Sequence, residues 1–249
     1  MFQLMRRWKI NSTQLTQCTA SQEYQTEISE VLSLANIGGI EARLKNSRKY
    51  AGRFRGLIAD LCEKFEIPDP EQVDPVTRLV SGFLMWEASS LRADEALRKI
   101  NDTFVDHNEL RACLPGELVE MIGRRYPIAQ ERCERLIASL NSIYQRQDQL
   151  TLDHLNACNE NNVKAYLRSL DGMTPYVFGQ IALLNFNIPV LPVDRQLREA
   201  LAEDEIIDQR LNETDLQLWY SEKISPDGCQ TVIDAHFLLQ GWVEDRRTA

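Results

Sequence analysis

Val163-Lys-Ala-Tyr-Leu-Arg-Ser-Leu170, Asp171-Gly-Met-Thr174 and Pro175-Tyr-Val-Phe-Gly-Gln-Ile-Ala-Leu-Leu184 follow one another without a break. Ile188-Pro-Val-Leu-Pro-Val-Asp194 comes after three further residues. The first run has apolar residues at helical spacing, and Gly172 suits a helix stop because glycine tolerates positive φ. Proline is favoured in a first helical turn, so Pro175 marks the start of a second helix. The chain therefore reverses within four residues, and a helical hairpin is predicted over about 161–186. Backbone N–H groups left unpaired at such a reversal, beside the positive end of a helix dipole, suit a phosphate. An ordinary structural hairpin is the competing reading. Asp194 ends a short extended stretch immediately before the helical run Arg195-Gln-Leu-Arg-Glu-Ala-Leu201, where it reads locally as an N-cap kept ionised by the helix dipole.

The rest of the chain is helical in pattern as well. Ile67-Pro-Asp-Pro-Glu-Gln-Val-Asp-Pro75 carries three prolines, so it reads as a linker. Beyond it Val76, Leu79, Val80, Phe83 and Leu84 form one apolar stripe, and Leu91, Ala93, Ala96, Leu97 and Ile100 a second, with Ser89 or Ser90 as the N-cap between them. Further helices are predicted around Leu118–Ile122, Cys133–Ile143, Leu152–Leu155, Arg195–Ala202, Asp215–Lys223 and Cys229–Trp242. No stretch shows sustained two-residue alternation. The expected class is all-α, a compact bundle of many short helices. Residues 1–25 are polar and weakly patterned and read as a poorly ordered extension; 26–68 read as N-terminal helices. A barrel-like helical lobe is expected over 76–190, and 191–245 with the N-terminal helices as a second lobe.

At this point a resemblance is recognisable. Leu170-x-Gly-x-x-Pro-Tyr-x-x-Gly179 followed by Val193-Asp194 resembles the hairpin and catalytic-aspartate signature of the endonuclease III superfamily of helix-hairpin-helix DNA glycosylases. Asp194 lies eighteen residues after Tyr176, the family's own spacing. Tyr176 stands where bifunctional members carry lysine, whose amine attacks the sugar and leads to strand cleavage. Tyrosine forms no Schiff base, so the resemblance implies the monofunctional branch, which includes adenine and thymine-mismatch glycosylases. Leu79–Ser90 resembles the family's helix leading into a Leu-Ser-x-Gln-x-Thr turn, Ile122–Tyr144 the helix pair before the hairpin, and Asp234–Trp242 the final helix; together the likeness spans about 70–245.

What the resemblance implies is hydrolysis of the N-glycosidic bond of a damaged or mismatched base, flipped out of double-stranded DNA. On that reading Asp194 and Tyr176 are the catalytic-site residues. Leu170, Gly172, Met173, Thr174 and Pro175 grip the DNA backbone, and Glu87 falls where the family inserts a glutamine into the base stack. The sequence also departs from the pattern. Thr174 replaces the hairpin's second glycine and, being β-branched, is expected to resist a left-handed conformation. Phe178 replaces a small residue of the following helix. Glu87 brings a charge expected to repel phosphates, and Gly82 occupies the place of the adenine glycosylases' catalytic glutamate. The alternative is a catalytically degenerate DNA-binding or protein-interaction module on the same fold, with Asp194 a helix cap and Tyr176 a packing residue.

Six cysteines, Cys18, Cys62, Cys113, Cys133, Cys158 and Cys229, lie far apart, and no Cys-x-x-Cys occurs. After Gly241, where the family's cluster ligands would begin, the sequence reads Trp-Val-Glu-Asp-Arg-Arg-Thr-Ala. No iron–sulfur cluster, no metal at the isolated His107, His154 and His236, and no cofactor are expected. The net charge of −9 requires that any nucleic-acid contact use concentrated basic groups. Arg43, Lys45, Arg48, Lys49, Arg53 and Arg55 form the densest cluster, with a solvated helix face as the bland alternative. The N-terminus carries no secretory pattern, so a cytoplasmic protein, nucleoid-associated if it binds DNA, is the expectation.

Overall fold

A computed structural model describes residues 47–223 and 231–248. The proposed extension, most of the first N-terminal helices, Arg43, Lys45, Cys18 and Cys229 lie outside the described residues. Within them the chain is all-α, as its periodicity predicts. Eleven α-helices run in order: α1 (Ser47–Lys64), α2 (Pro75–Met85), α3 (Ser90–Thr103), α4 (His107–Ala112), α5 (Pro115–Ile122), α6 (Ala129–Gln147), α7 (Glu160–Arg168), α8 (Pro175–Phe186), α9 (Arg195–Glu203), α10 (Glu213–Lys223) and α11 (Val232–Thr248). The run at Leu152–Leu155 is a 3-10 turn, Asp153–Ala157, and α4 was not legible in the sequence.

Local chemistry explains the boundaries. The proline-rich linker ends where the Asp74 carboxylate accepts from the Val76 and Thr77 amides and Pro75 takes the first helical position. Asn159 starts α7 by accepting from Asn162, which moves the helix start ahead of Val163. At α3 the Ser89 side chain makes no capping bond; the amide of Ser90 donates instead to Glu244 of α11, at 2.8 Å.

Two hydrophobic clusters form. The first gathers α2 to α8 around Leu79, Phe83, Leu140, Leu167 and Ile181. The second joins α1, α9, α10 and α11 around Phe54, Leu201, Trp219 and Leu238. The extended segment before Asp194 divides between them: Ile188 and Val190 belong to the first, Leu191 and Val193 to the second. Between Tyr176 and Leu184 every residue of α8 is buried. This helix touches α2, α7, α10 and α11, so it has no solvent face and no amphipathic stripe. Gly179 makes this packing possible, because a Cβ there would lie 2.8 Å from Pro192 Cα and from Gln217 Nε2. Gln217 donates to Pro175 O at 2.7 Å and Leu191 O at 2.9 Å, tying α10 to the hairpin and to the extended segment. Among the described residues no helix is long and apolar enough to cross a membrane.

Candidate active site between the two clusters

The start of α9 holds two carboxylates. Asp194 Oδ1 accepts from the Leu197 amide at 2.8 Å, the N-cap bond its position predicts. Its Oδ2 faces the Glu87 amide at 3.4 Å. Glu87, in the turn between α2 and α3, accepts from the Arg195 amide at 2.9 Å and from the Arg195 guanidinium at 3.3 Å. Glu87 therefore does not project outward as an intercalating side chain would. Its side chain is 5% exposed, and its charge is spent on the α9 terminus rather than presented to solvent. Burial raises the Glu87 carboxyl above the ordinary range, and the Asp194 charge adds to that. Burial also raises Asp194, against the opposing pull of the Leu197 and Glu87 amides and of Arg247.

Behind Asp194 lies a cavity of about 30 Å³, lined among others by Met85, Tyr176, Pro192, His236, Glu244 and Arg247. It has room for about one water. Outward it meets a groove of about 470 Å³ lined by Glu87, Ser90, Leu91, Arg92, Glu244 and Arg247, among others. Tyr176 is buried, its hydroxyl accepts from Gln180 Nε2 at 3.1 Å, and burial raises its phenol so that it stays protonated. A Cβ at Gly82 would lie 2.9 Å from Gln180 Oε1. Position 82 thus makes room for the amide that supports Tyr176, and a glutamate there would displace it.

His236 went unnoticed in the sequence as anything but an isolated histidine. It is 3% exposed, its ring lies 6.5 Å from that of Tyr176, and its Nε2 has no hydrogen-bond partner among the described residues. Burial, with a smaller contribution from Arg78, lowers it to about 4. The unfolded chain takes up this proton near pH 6.5 and the folded chain only near 4, so the stabilisation is complete above 6.5 and lost as pH falls. Between pH 7 and pH 5 this group alone is expected to remove about 2 kcal/mol of folding stability. Urea unfolding at the two pH values measures it; an equal acid loss in His236→Phe would show that the histidine is not the cause.

The hairpin between α7 and α8 is docked on α6. Gly172 adopts φ +77°, and Asp171 O accepts from Ser139 Oγ at 2.7 Å. Leu170 and Thr174 are buried, Met173 packs at the edge of the first cluster, and Pro175 starts α8. The expectation that Thr174 would resist its place is corrected: φ is −113°, an extended conformation, and its hydroxyl caps α8 by accepting from the Val177 amide. The amides of Asp171, Gly172 and Thr174 have no acceptor among the described residues. The side chains of Leu170 and Thr174 face inward, so they offer nothing to a ligand, while Asp171 is exposed beside the backbone amides. Three arginines stand around it. Arg146 donates to Ser169, Arg135 to Gly172 O, and Arg168 lies over the Phe178 ring. Phe178, the departure from a small residue, is thus the buried platform for Arg168. Of the N-terminal basic cluster, Arg53 is taken by Glu205.

Sequence comparison gives no relative: no family model and no curated protein matches the chain. Solved structures do match. A trapped endonuclease III–DNA covalent intermediate aligns with a TM-score of 0.58 at 12% identity, over 77% of this chain and 85% of that one. A thermostable thymine-DNA glycosylase aligns with 0.52 at 15% identity, over 80% and 86%. The Clostridium acetobutylicum 8-oxoguanine glycosylase/lyase, bound to DNA with cytosine opposite 8-oxoguanine, gives 0.60 at 15%, over 82% and 71%. The chain therefore has the endonuclease III-like helical fold.

Among the described residues no group of three or more His, Cys, Asp or Glu is placed to hold a metal. Cys113, Cys133 and Cys158 are free thiols.

Proposed function

We propose that the chain is a monofunctional DNA glycosylase that hydrolyses the N-glycosidic bond of a damaged or mismatched base in duplex DNA. The observation that carries the reading is Asp194. It is a carboxylate at the junction of the two clusters, without an ion-pair partner among the described residues, on a fold shared with DNA glycosylases. A sugar losing its base develops positive charge, and a preorganised carboxylate stabilises it more strongly than water does. Tyr176 lines the same cavity with a protonated hydroxyl and no amine, which suits hydrolysis without strand cleavage. The free hairpin amides, with Arg146 and Arg168 beside them and Arg135 shared with Glu131, suit a DNA phosphate on an otherwise acidic chain.

The test is a panel of mismatched, deaminated, alkylated and oxidised duplexes, followed by alkaline cleavage of abasic sites. Base release is expected from at least one duplex, and Asp194→Asn should lower it about a hundredfold or more. A second reading, a non-catalytic DNA-binding module, is favoured by the size of the cavity, which admits a water but not a nucleobase. Salt-sensitive duplex binding without release from any member of the panel selects it. No release and no binding overturns both.

A further inference from the structure

We propose that Glu87 is a positioning residue that holds Arg195 away from Asp194, so that the Asp194 carboxylate faces the cleft without an ion-pair partner. This deepens the glycosylase reading and rests on Asp194 being its reactive carboxylate.

The problem that Glu87 solves is set by the sequence. Asp194 and Arg195 are neighbours, and Arg195 opens α9 with a side chain 58% exposed. Glu87 chiefly raises the Arg195 guanidinium, with Glu199 and then Asp194 adding smaller pulls. With no competing acceptor, that guanidinium would close on Asp194 and neutralise the charge a cationic sugar needs. Glu87 supplies the competitor. It takes the Arg195 amide at 2.9 Å, Nη2 at 3.3 Å and Nε at 3.4 Å.

The turn that carries Glu87 is built for this. Glu87 sits at φ +58°, a left-handed conformation uncommon for a residue other than glycine. That backbone turns the Glu87 amide toward Asp194 Oδ2, at 3.4 Å, while its carboxylate reaches past Asp194 to Arg195. Gln196 Nε2 donates to Glu87 O at 2.9 Å and fixes the turn from the other side. From α6, Arg132 holds the preceding carbonyl of Trp86.

The other charged groups are placed elsewhere. Arg132 on α6 attracts Glu87 but is occupied by backbone carbonyls. Glu244 on α11 is bound to Ser90. Arg247, also on α11, lines both the cavity and the groove and acts on Asp194 at longer range, without a direct ion pair. Tyr176 and His236, the remaining titratable groups on the cavity wall, are neutral near pH 7. Beside Arg247, Arg195 is the cation whose placement bears on whether Asp194 is compensated, and Glu199, one turn along α9, also attracts the Arg195 guanidinium.

The experiment is a carbon-13 titration of the side-chain carboxyls in the free, full-length protein, with an amide spectrum confirming the fold of each variant. In Glu87→Gln the Asp194 midpoint moves to lower pH, because Arg195 is released to it. Adding Arg195→Gln returns the midpoint toward the wild-type value. An unchanged midpoint in Glu87→Gln overturns the proposal. So does a lowered midpoint that stays low in the double variant, which would trace the effect to the charge of Glu87 alone. Should Glu87→Gln not fold, Glu87→Asp, shorter by one methylene, is expected to give a smaller shift in the same direction; no shift again overturns it.

Base release gives the second readout. On any duplex the panel identifies, Glu87→Gln lowers kcat several-fold with KM nearly unchanged, and moves the acid limb of the pH profile down. Arg195→Gln in that background restores both. A panel without any base release overturns the glycosylase reading, while the titration still decides what Glu87 does to Asp194.

Discussion

Replacing Arg132 with methionine is expected to cost about 3–5 kcal/mol of folding stability. Arg132 lies on the buried face of α6 and is 0% exposed. Its guanidinium donates to four carbonyls, those of Phe83, Leu84, Trp86 and Pro127. Phe83 and Leu84 belong to the last turn of α2, whose carbonyls have no helical N–H to receive, so a cation at that end answers both the unmet acceptors and the negative end of the helix dipole. Burial lowers the guanidinium only to about 10, so it stays charged at neutral pH.

Exchanging a buried ion pair for apolar residues is often neutral, but the partners here are backbone carbonyls that no substitution removes. In Arg132→Met only Leu84 O keeps a side-chain donor, the Tyr126 hydroxyl at 2.8 Å. Lysine is no substitute, since one ammonium cannot span carbonyls on two segments as a planar fork does. The midpoint of thermal unfolding should fall by roughly 10 °C for a domain of this size. A change within about 0.5 kcal/mol, the range of an ordinary surface substitution, would show that the carbonyl cluster does not need its cation.

Arg132 also shows where the sequence stopped being readable. The α6 stripe was plain from Cys133, Leu136, Leu140 and Ile143, which are all buried. An arginine one turn before Leu136 on that face was a signal, but its acceptors come from α2 and the following turn, far away in sequence. Pro175 starts α8 and Asp194 caps α9 as their positions predict, whereas the caps made by Asp74 and Thr174 are legible only in the fold, and Ser89 makes no capping bond. The helix α4 was missed because it is six residues long and buries only Leu110, too little for a period to show.

The candidate site divides in the same way. Asp194 and Tyr176 stood in a recognisable spacing, and they do line one cavity. Gln180, His236, Glu244 and Arg247 reach the site from α8 and α11 through packing alone. No local pattern distinguishes them from residues of an ordinary buried helix. Glu87 stands out in the sequence, but its role is not legible there, because its partner Arg195 lies 108 residues on and only the fold brings them together.

Gly172→Ala is expected to be the most damaging change in the hairpin, at about 2–5 kcal/mol. Two independent terms add. A residue with a Cβ in the left-handed region costs about 1–2 kcal/mol relative to glycine, and Gly172 stands at φ +77°. The second term is contact. A Cβ at Gly172 would lie 2.5 Å from Arg135 O and 2.8 Å from Arg135 Cα, both backbone atoms of α6 that no rotamer change can move aside. Overpacking of that kind costs about 1–3 kcal/mol.

Relief requires the hairpin to lift from α6, which breaks the Ser139–Asp171 hydrogen bond and shifts the free amides of Asp171, Gly172 and Thr174. Stability and duplex affinity should therefore fall together, measured by urea unfolding and by salt-dependent DNA binding. Gly52→Ala is the matched control: it lies inside α1, a Cβ there meets nothing within 4 Å, and its φ is not positive. That change should raise stability by up to about 1 kcal/mol. If Gly172→Ala unfolds at the same urea concentration as the unaltered chain while Gly52→Ala shifts upward, the close approach of the hairpin to α6 is not what holds it.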